Sequence, residues 1–358
     1  MRRRRVRRTR MGWKPGMRAW VMTPEAGPPG LEATTVADPL PGPHDVVVAT
    51  RAVSLNHRDL IRLNRGYTVG AEAPAGIPCS DAAGIVVAAG ARVTRTRVGD
   101  RVASTFAPRW LAGPYCSSYA RSSEGATEDG VLAEGWRSHE DGVVPMPPGL
   151  SFDEASTLPC AGLTAWHALF EEQPITAAST VLTMGTGGVS VFALQYASWA
   201  GARVIATTSR RDRVERLRAI GAHAVVQGAS PADLSDEVLR ATGGEGVDHV
   251  IEVGGQGTLP WSLRIVRDGG TVSLIGALAP RAAVVLSPLF LRNIRLQGIA
   301  VGSRSMFTRL LAACERGLPA PVIDSTFGFD EAPRAFAHLE ARRHVGKVVV
   351  RVGDTWPR

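Results

Sequence analysis

Gly185, Gly187 and Gly188 stand directly behind the apolar run VLTM, residues 181–184, and directly before a stretch whose apolar residues recur at helical spacing. That order of residue types suits one task well, the cradling of phosphate. A glycine at 185 permits the tight turn out of a strand. A glycine at 187 has no Cβ to hold the backbone away from a pyrophosphate seated on a helix N-terminus. Thr186 and Val189 complete the turn. Val189, Phe192, Ala193, Tyr196, Ala197 and Ala200 then fall at i, i+3, i+4, i+7, i+8 and i+11, one helix face. Gly201 ends that helix, and the apolar residues 204–206 resume a strand. Strand, glycine turn, helix and strand at these distances form the first half of a dinucleotide-binding βαβ unit. Ser190 stands where the fingerprint expects a third glycine, and it is small enough for the helix still to approach the strand.

Charge at the end of the second strand bears on which dinucleotide. An NAD-specific unit places a carboxylate there, about 20 residues past the glycines, to hold the ribose 2′-hydroxyl. This chain has Thr208, Ser209, Arg210 and Arg211. No carboxylate in that run repels a 2′-phosphate, and one guanidinium bonded to it adds about 1.5 to 3 kcal/mol, or about tenfold and more in affinity. NADP(H) is therefore favoured over NAD(H). The competing reading is that the two arginines decorate the start of the next helix beside Asp212.

The elements that must position this turn continue on both sides of it. Downstream, helical 213–220, strand 224–227, helical 234–241, strand 247–253, helical 259–266 and strands 271–275 and 294–301 imply a parallel sheet with right-handed crossovers. Upstream the chain is strand-rich. Residues 17–22, 46–53, 84–89 and 100–104 are β-like stretches separated by Gly, Pro and Asp clusters such as PLPGPHD, residues 39–45, and read as a compact β-barrel. Residues 106–142 read as a long irregular region. PMPPGLSFDEAS, residues 145–156, marks a boundary, with Ser151 as a helix cap before Asp153 and Glu154. Helical 330–341 and strand 347–352 are too many for one six-stranded nucleotide domain and are expected to return to the first domain. The expected division is a basic leader over 1–16, a first domain over 17–150, a nucleotide domain over 151–302 and the return over 303–358.

Composition agrees with two globular domains. The chain has 358 residues, 44% hydrophobic and 21% charged, and no apolar run reaches the roughly 18 residues of a membrane span. Its formal charge of +8 is not spread over the body. Residues 1–16, MRRRRVRRTRMGWKPG, hold seven arginines and Lys14 without an acid, so the remaining residues balance. Nucleic acid is therefore not the expected partner. The leader lacks an apolar segment behind its charges and reads as a disordered extension or an upstream start before Met17, the alternative being a polybasic arm for polyanions. Cys79, Cys116, Cys160 and Cys314 show no paired spacing, which fits reduced, cytoplasmic usage.

Five segments together carry a resemblance. AGIVVAAGARV at 83–93, VGDRV at 98–102, LPCAGLTAWHAL at 158–169, GTGGVSVFALQYA at 185–197 and GKVVV at 346–350 resemble, in order, the medium-chain dehydrogenase/reductase superfamily, and within it the zinc-independent, quinone-oxidoreductase-like branch. The resemblance implies an α/β protein: a GroES-like β-barrel catalytic domain and a Rossmann domain with a doubly wound parallel sheet. It further implies a cleft between them and hydride transfer at the nicotinamide. In the alcohol dehydrogenases of this superfamily a Cys-x-x-Asp, a Gly-His-Glu and a later Cys ligate zinc. The matching positions here read Asn56, His57, Arg58, Asp59, then Cys79, Ser80, Asp81, and only Cys160 matches a ligand. One thiolate does not make a three-ligand site, so no metal is expected.

Chemistry without a Lewis acid must then work through orientation and hydrogen bonding. Asn56 can donate to a carbonyl oxygen where enolate charge develops. His57 can protonate the enolate, or it is a loop histidine with a structural bond. Arg58, Asp59 and Asp81 read as architectural. By the resemblance, Thr164 lies against the nicotinamide carboxamide and Lys347 near cofactor phosphate. The leading functional expectation is an NADPH-dependent reductase of quinones or α,β-unsaturated carbonyls. Zinc-free alcohol oxidation stands second, and a weakly catalytic NADPH-binding sensor or RNA-associated protein is the alternative of another class. A homodimer is expected from the resemblance.

Overall fold

The computed structural model of the chain describes residues 16–22, 30–63, 76–125, 128–228, 231–276, 278, 283–354 and 356. Residues 1–15 of the basic leader lie outside the described residues.

The barrel part is built on β1 (Met17–Met22), β2 (Leu31–Val36), β3 (Asp45–Leu55), β4 (Asp81–Ala89), β5 (Arg101–Ser104), β6 (Gly135–His139) and β7 (Val143–Pro145). Of these, β3 is the longest. It carries β4 along most of its length and shares its first half with β6, with bulges at Val47/Val48 and Thr50/Ala52 that bend the sheet towards closure. A short helix, α1 (His57–Leu63), leaves the end of β3. Two of the strands were not legible as apolar runs. The residues of β2 are mostly exposed and pair only with β1. In β6 only the short alternation of buried Trp136 and Ser138 with exposed Arg137 and His139 marks a strand, inside the segment expected to be irregular.

A helical stretch follows, α2 (Phe152–Ser156), a π-helical turn over Leu158–Gly162, α3 (Leu163–Trp166) and a second π turn over His167–Glu171. Its start is capped as the residue types require: Ser151 Oγ accepts from Glu154 N–H, and the Glu154 carboxylate takes Ser151 N–H in return.

The second sheet holds six parallel strands, β8 (Thr180–Met184), β9 (Arg203–Thr208), β10 (Ala224–Gln227), β11 (Val247–Glu252), β12 (Val266–Leu274) and β13 (Arg295–Gly298). Helices α4 (Gly188–Trp199), α5 (Val214–Ile220), α6 (Pro231–Ala241), α7 (Leu259–Ile265) and α8 (Ser287–Leu291) connect them. The spatial order is β10-β9-β8-β11-β12-β13. The chain therefore runs outward from β8 in one direction, returns, and runs outward from β11 in the other. The crevice at the carboxyl ends of β8 and β11 is the topological switch point where open α/β sheets bind ligands. Both faces are covered. Val181, Val204 and Ile251 pack with α4 and α9 (Arg304–Glu315) on one side, while Leu182, Ile205 and Val250 pack with Trp261 of α7 on the other.

Finally β14 (Ile323–Gly328), α10 (Ala332–Glu340) and β15 (Lys347–Arg351) follow. β15 pairs antiparallel with β3, so the last strand of the chain joins the first large sheet in the order β14-β15-β3-β4-β5-β7. The architecture is α/β, a barrel-like sheet joined to a doubly wound parallel one.

Candidate active site

The glycine turn closes β8 and opens α4. Gly185 takes a φ of 74°, which a side chain would resist, and Gly187 is the residue before the helix with an ordinary φ of −70°. A Cβ placed at either would meet no atom within 4 Å, so the space above the turn is open. That is the cradle a pyrophosphate fills at a helix N-terminus. Gly188 differs: a Cβ there would lie 2.7 Å from Lys347 Cδ and 3.2 Å from Ala161 Cβ, so its smallness serves packing. Ser190, in the third glycine position, is buried and donates to the carbonyl of Met184 at 2.6 Å. A hydroxyl thus ties the helix to the strand where a glycine would merely let them approach. Val189 is half-buried at the start of α4.

The loop before β15 clamps this turn from the other side. Gly346 N–H donates to Thr186 O at 2.9 Å, and Thr186 Oγ1 donates to His344 O at 3.2 Å. Arg213 reaches over both, with one nitrogen 2.5 Å from Thr186 Oγ1 and the other 2.8 Å from Arg342 O. Sequence reasoning missed Arg213, Arg342 and His344. Their signal was faint: a third arginine just past 210–211, and a basic run just before Gly346. At the end of β9, Thr208 Oγ1 accepts from Arg210 N–H at 3.1 Å, Ser209 and Arg211 are exposed, and Arg210 makes two bonds to the Asp212 carboxylate, 3.1 and 2.9 Å.

Lys347 joins the turn to the barrel. The antiparallel register Val348↔Leu55 sets it beside the residue that follows β3. Its stem lies against Gly188, and its ammonium donates to Leu55 O at 2.6 Å and to Asn56 Oδ1 at 2.7 Å. Only 3% of the residue is exposed. The stem of Lys347, rather than its charge, therefore borders the turn. Because an ammonium can only donate, the oxygen of the Asn56 amide must face it, and Nδ2 must face away. That Nδ2 is buried and meets no acceptor with hydrogen-bond geometry.

Around this pair the interior is charged. Asp59, at the start of α1, accepts from Asn56 N–H at 2.8 Å, and burial raises its carboxyl to about 6 against the pull of Arg58. Asp81 accepts from Ser80 Oγ and from Cys160 N–H, and burial raises it too, against the opposing pull of Lys347, Ser80 and the Asn56 side chain, whose Nδ2 lies on its side. Both carboxylates are architectural in the sense expected: they fix the backbone of Asn56 and of Cys160. Thr164 is buried in the helical stretch and donates to Cys160 O at 2.7 Å, which leaves its oxygen as an acceptor. Burial, and then the Arg342 cation, lower His57, so its imidazole is neutral at neutral pH.

Within the described residues the site thus gathers Asn56, Lys347, Thr164 and the glycine turn. The arginines 210 and 211 stand apart at the end of β9.

Residues 42–148 match the family model of the alcohol dehydrogenase GroES-like domain, and residues 188–316 match that of the zinc-binding dehydrogenases. The chain is 37% identical to the zinc-type alcohol dehydrogenase-like protein C1773.06c of Schizosaccharomyces pombe, over 87% of this chain and 91% of that protein. It belongs to the medium-chain dehydrogenase/reductase superfamily. A quinone oxidoreductase of Pseudomonas aeruginosa is 31% identical, over 90% of this chain and 96% of that one. The solved structure of an NAD-dependent alcohol dehydrogenase superposes with a TM-score of 0.85 at 32% identity, covering 94% of this chain and all of that one. The chain is accordingly an NAD(P)H-dependent oxidoreductase.

A zinc ion, which the name of one matching model implies, does not fit the residues present. Among the described residues no three His, Cys, Asp or Glu side chains gather as a ligand set. Of the positions that would ligate it, Asn56 and Ser80 carry only an amide and a hydroxyl, and the cation standing at Asn56 is the Lys347 ammonium. A dinucleotide does fit. The open space over Gly185 and Gly187, the start of α4, and the nearby Arg213 suit its phosphates.

Proposed function

We propose that the chain is a zinc-independent, NADPH-dependent reductase that delivers hydride to a quinone or an α,β-unsaturated carbonyl. The observation that carries this is the Asn56 amide. Its oxygen is held by Lys347, and its buried Nδ2 lies towards the Asp81 carboxylate without a hydrogen bond of good geometry. A preorganised donor that is not already tied up in a well-formed bond is what a carbonyl oxygen requires as negative charge develops on it. The bound nicotinamide supplies the hydride. This chain's part is to bind the carbonyl at Asn56, hold the phosphates at the glycine turn, accept the carboxamide N–H at Thr164 Oγ1, and exclude water.

Two observations support NADPH. Thr208, Ser209 and Arg211 offer no carboxylate, and the one nearby, Asp212, is engaged by Arg210. Such an exposed pair contributes little, so a 2′-phosphate can draw Arg210 away.

Alcohol oxidation is the second reading, favoured by one fact: the neutral His57 imidazole can accept a proton as well as share one. The proposal also extends to a homodimer. Strand β13 is an edge of its sheet, and the helix before it exposes Phe290 and Leu291, 74% and 73% accessible, beside Val285 and Leu286.

Oxidation of NADPH, followed by nicotinamide absorbance over panels of quinones, enones and alcohols on chelator-treated protein, tests the reading. Turnover of quinones or enones by metal-free protein is expected. Activity that appears only on adding zinc would overturn it, and so would tight NADPH binding without turnover on any panel.

A further inference from the structure

One face of α1 carries two guanidiniums that the fold does not pair with anions. Arg58 and Arg62 stand one turn apart, the i, i+4 spacing that sets side chains next to one another. Arg62 is 7% exposed, its Nε is buried without an acceptor, and no hydrogen bond or ion pair with a described residue holds it. Arg58 lies over the Phe106 ring, 4.3 Å from its centroid, and gives one nitrogen to Glu124 O at 3.3 Å. Its Nη1 is buried and unpaired.

The acids nearby do not complete the balance. Asp59 acts on both arginines, but it is one charge against two, and its Oδ2 is given to Asn56 N–H. Glu124 is buried, with Oε1 accepting from Ser138 Oγ and Oε2 without a partner. Burial raises its carboxyl well above the usual carboxylate range. Among the described residues, then, no acid is bonded to Arg62 in this largely desolvated place. Packing alone does not sustain such an arrangement, because a buried ion without a counter-ion is among the most unfavourable placements in a protein. Its position is also informative. The helix begins at the residue after Asn56, and at about 1.5 Å per residue Arg62 lies about 9 Å along the axis from the amide proposed to bind the reacting carbonyl.

We infer that Arg58 and Arg62 form an anion subsite and that the substrate reduced at Asn56 carries a carboxylate a few atoms from its carbonyl. The unpaired Nη1 and Nε are donors of the kind with which a guanidinium holds a planar carboxylate. This inference rests on the reductase reading, and its test separates the two.

The experiment compares 4-oxopent-2-enoate with its methyl ester as substrates of the full chain with NADPH. The acid's kcat/KM is expected to exceed the ester's by about tenfold or more, and Arg62→Met is expected to bring the ratio close to one while Arg62→Lys keeps part of it. Melting of the ligand-free protein gives a second readout. Arg62→Met raises Tm if the cation is uncompensated and lowers it if Arg62 is merely structural. An acid-to-ester ratio near one in the unaltered protein, or a variant that slows both substrates alike, overturns the subsite. If neither substrate oxidises NADPH, the reductase reading fails on its own. The subsite is then decided by thermal stabilisation with the saturated acid 4-oxopentanoate: stabilisation that its methyl ester does not give upholds the subsite, and none overturns it.

Discussion

The ammonium of Lys347 lies 2.7 Å from the amide oxygen of Asn56, across 291 residues of sequence. The bond fixes which end of the amide is left to donate. Replacing Lys347 by Met removes the donor that holds the oxygen end and strands a buried oxygen. The expected result is a fall in kcat of about tenfold to a hundredfold, smaller than the loss from deleting an oxyanion donor outright. If the lysine acts through the amide, Lys347→Met added to Asn56→Ala slows the enzyme no further, since residues working as a unit are not additive. Losses that multiply in the double variant would show that Lys347 acts independently of Asn56.

Gly187 separates folding from binding. Its φ is ordinary and a Cβ there meets only open space, so Gly187→Val is expected to cost about 1 kcal/mol of stability or less, near what a poorer helix cap costs. The same side chain occupies the space assigned to the pyrophosphate. NADPH affinity, measured by fluorescence titration, is expected to fall by about tenfold or more. A variant that binds NADPH normally would move the phosphates elsewhere.

How far the sequence carried follows from which signals are local. The glycine turn, the position of α4 and the strands β1, β8 and β10 were legible, because spacing of 2 or 3.6 residues and the special backbone of glycine act over a few residues, although α4 buries all of 190–197 rather than one face. Strand β2 was not, since its residues are mostly exposed and its single partner is β1. The type of Asn56 suggested a donor. That Lys347 holds its oxygen and turns its Nδ2 away depends on the pairing of β15 with β3, which no local pattern encodes. Arg213 was missed for the same reason: its partners Thr186 and Arg342 meet only when the last loop folds over the first turn.

The arginines after β9 make a prediction about cofactor choice. Changing Arg210 and Arg211 together to Ala is expected to weaken NADPH by about tenfold or more and NADH by less than about threefold. Asp212→Asn should act in the opposite direction, since it releases Arg210 from its two carboxylate bonds. Steady-state KM values for the two cofactors check both. Equal effects on NADPH and NADH would assign the arginines to the surface of the fold alone.

His249 gives the nucleotide domain a built-in sensitivity to acid. It is buried in β11, its Nε2 lies 2.8 Å from Ser273 Oγ on the neighbouring β12, and burial lowers it from 6.5 to about 4. Above 6.5 the imidazole is neutral in both the folded and the unfolded chain and adds no pH dependence. As pH falls from 6.5 towards 4 the unfolded chain takes up a proton that the folded chain refuses. Stability therefore drains away over that window, by about 3 kcal/mol if the full difference is realised. Urea unfolding across this range should show the loss in the unaltered protein. His249→Gln is expected to be less stable near neutral pH, where the bond to Ser273 is disturbed, yet to lose less on acidification because nothing at position 249 then titrates. Parallel stability curves for the two proteins would place the acid sensitivity at other buried groups, His344 first among them, since burial lowers it to about 4 as well.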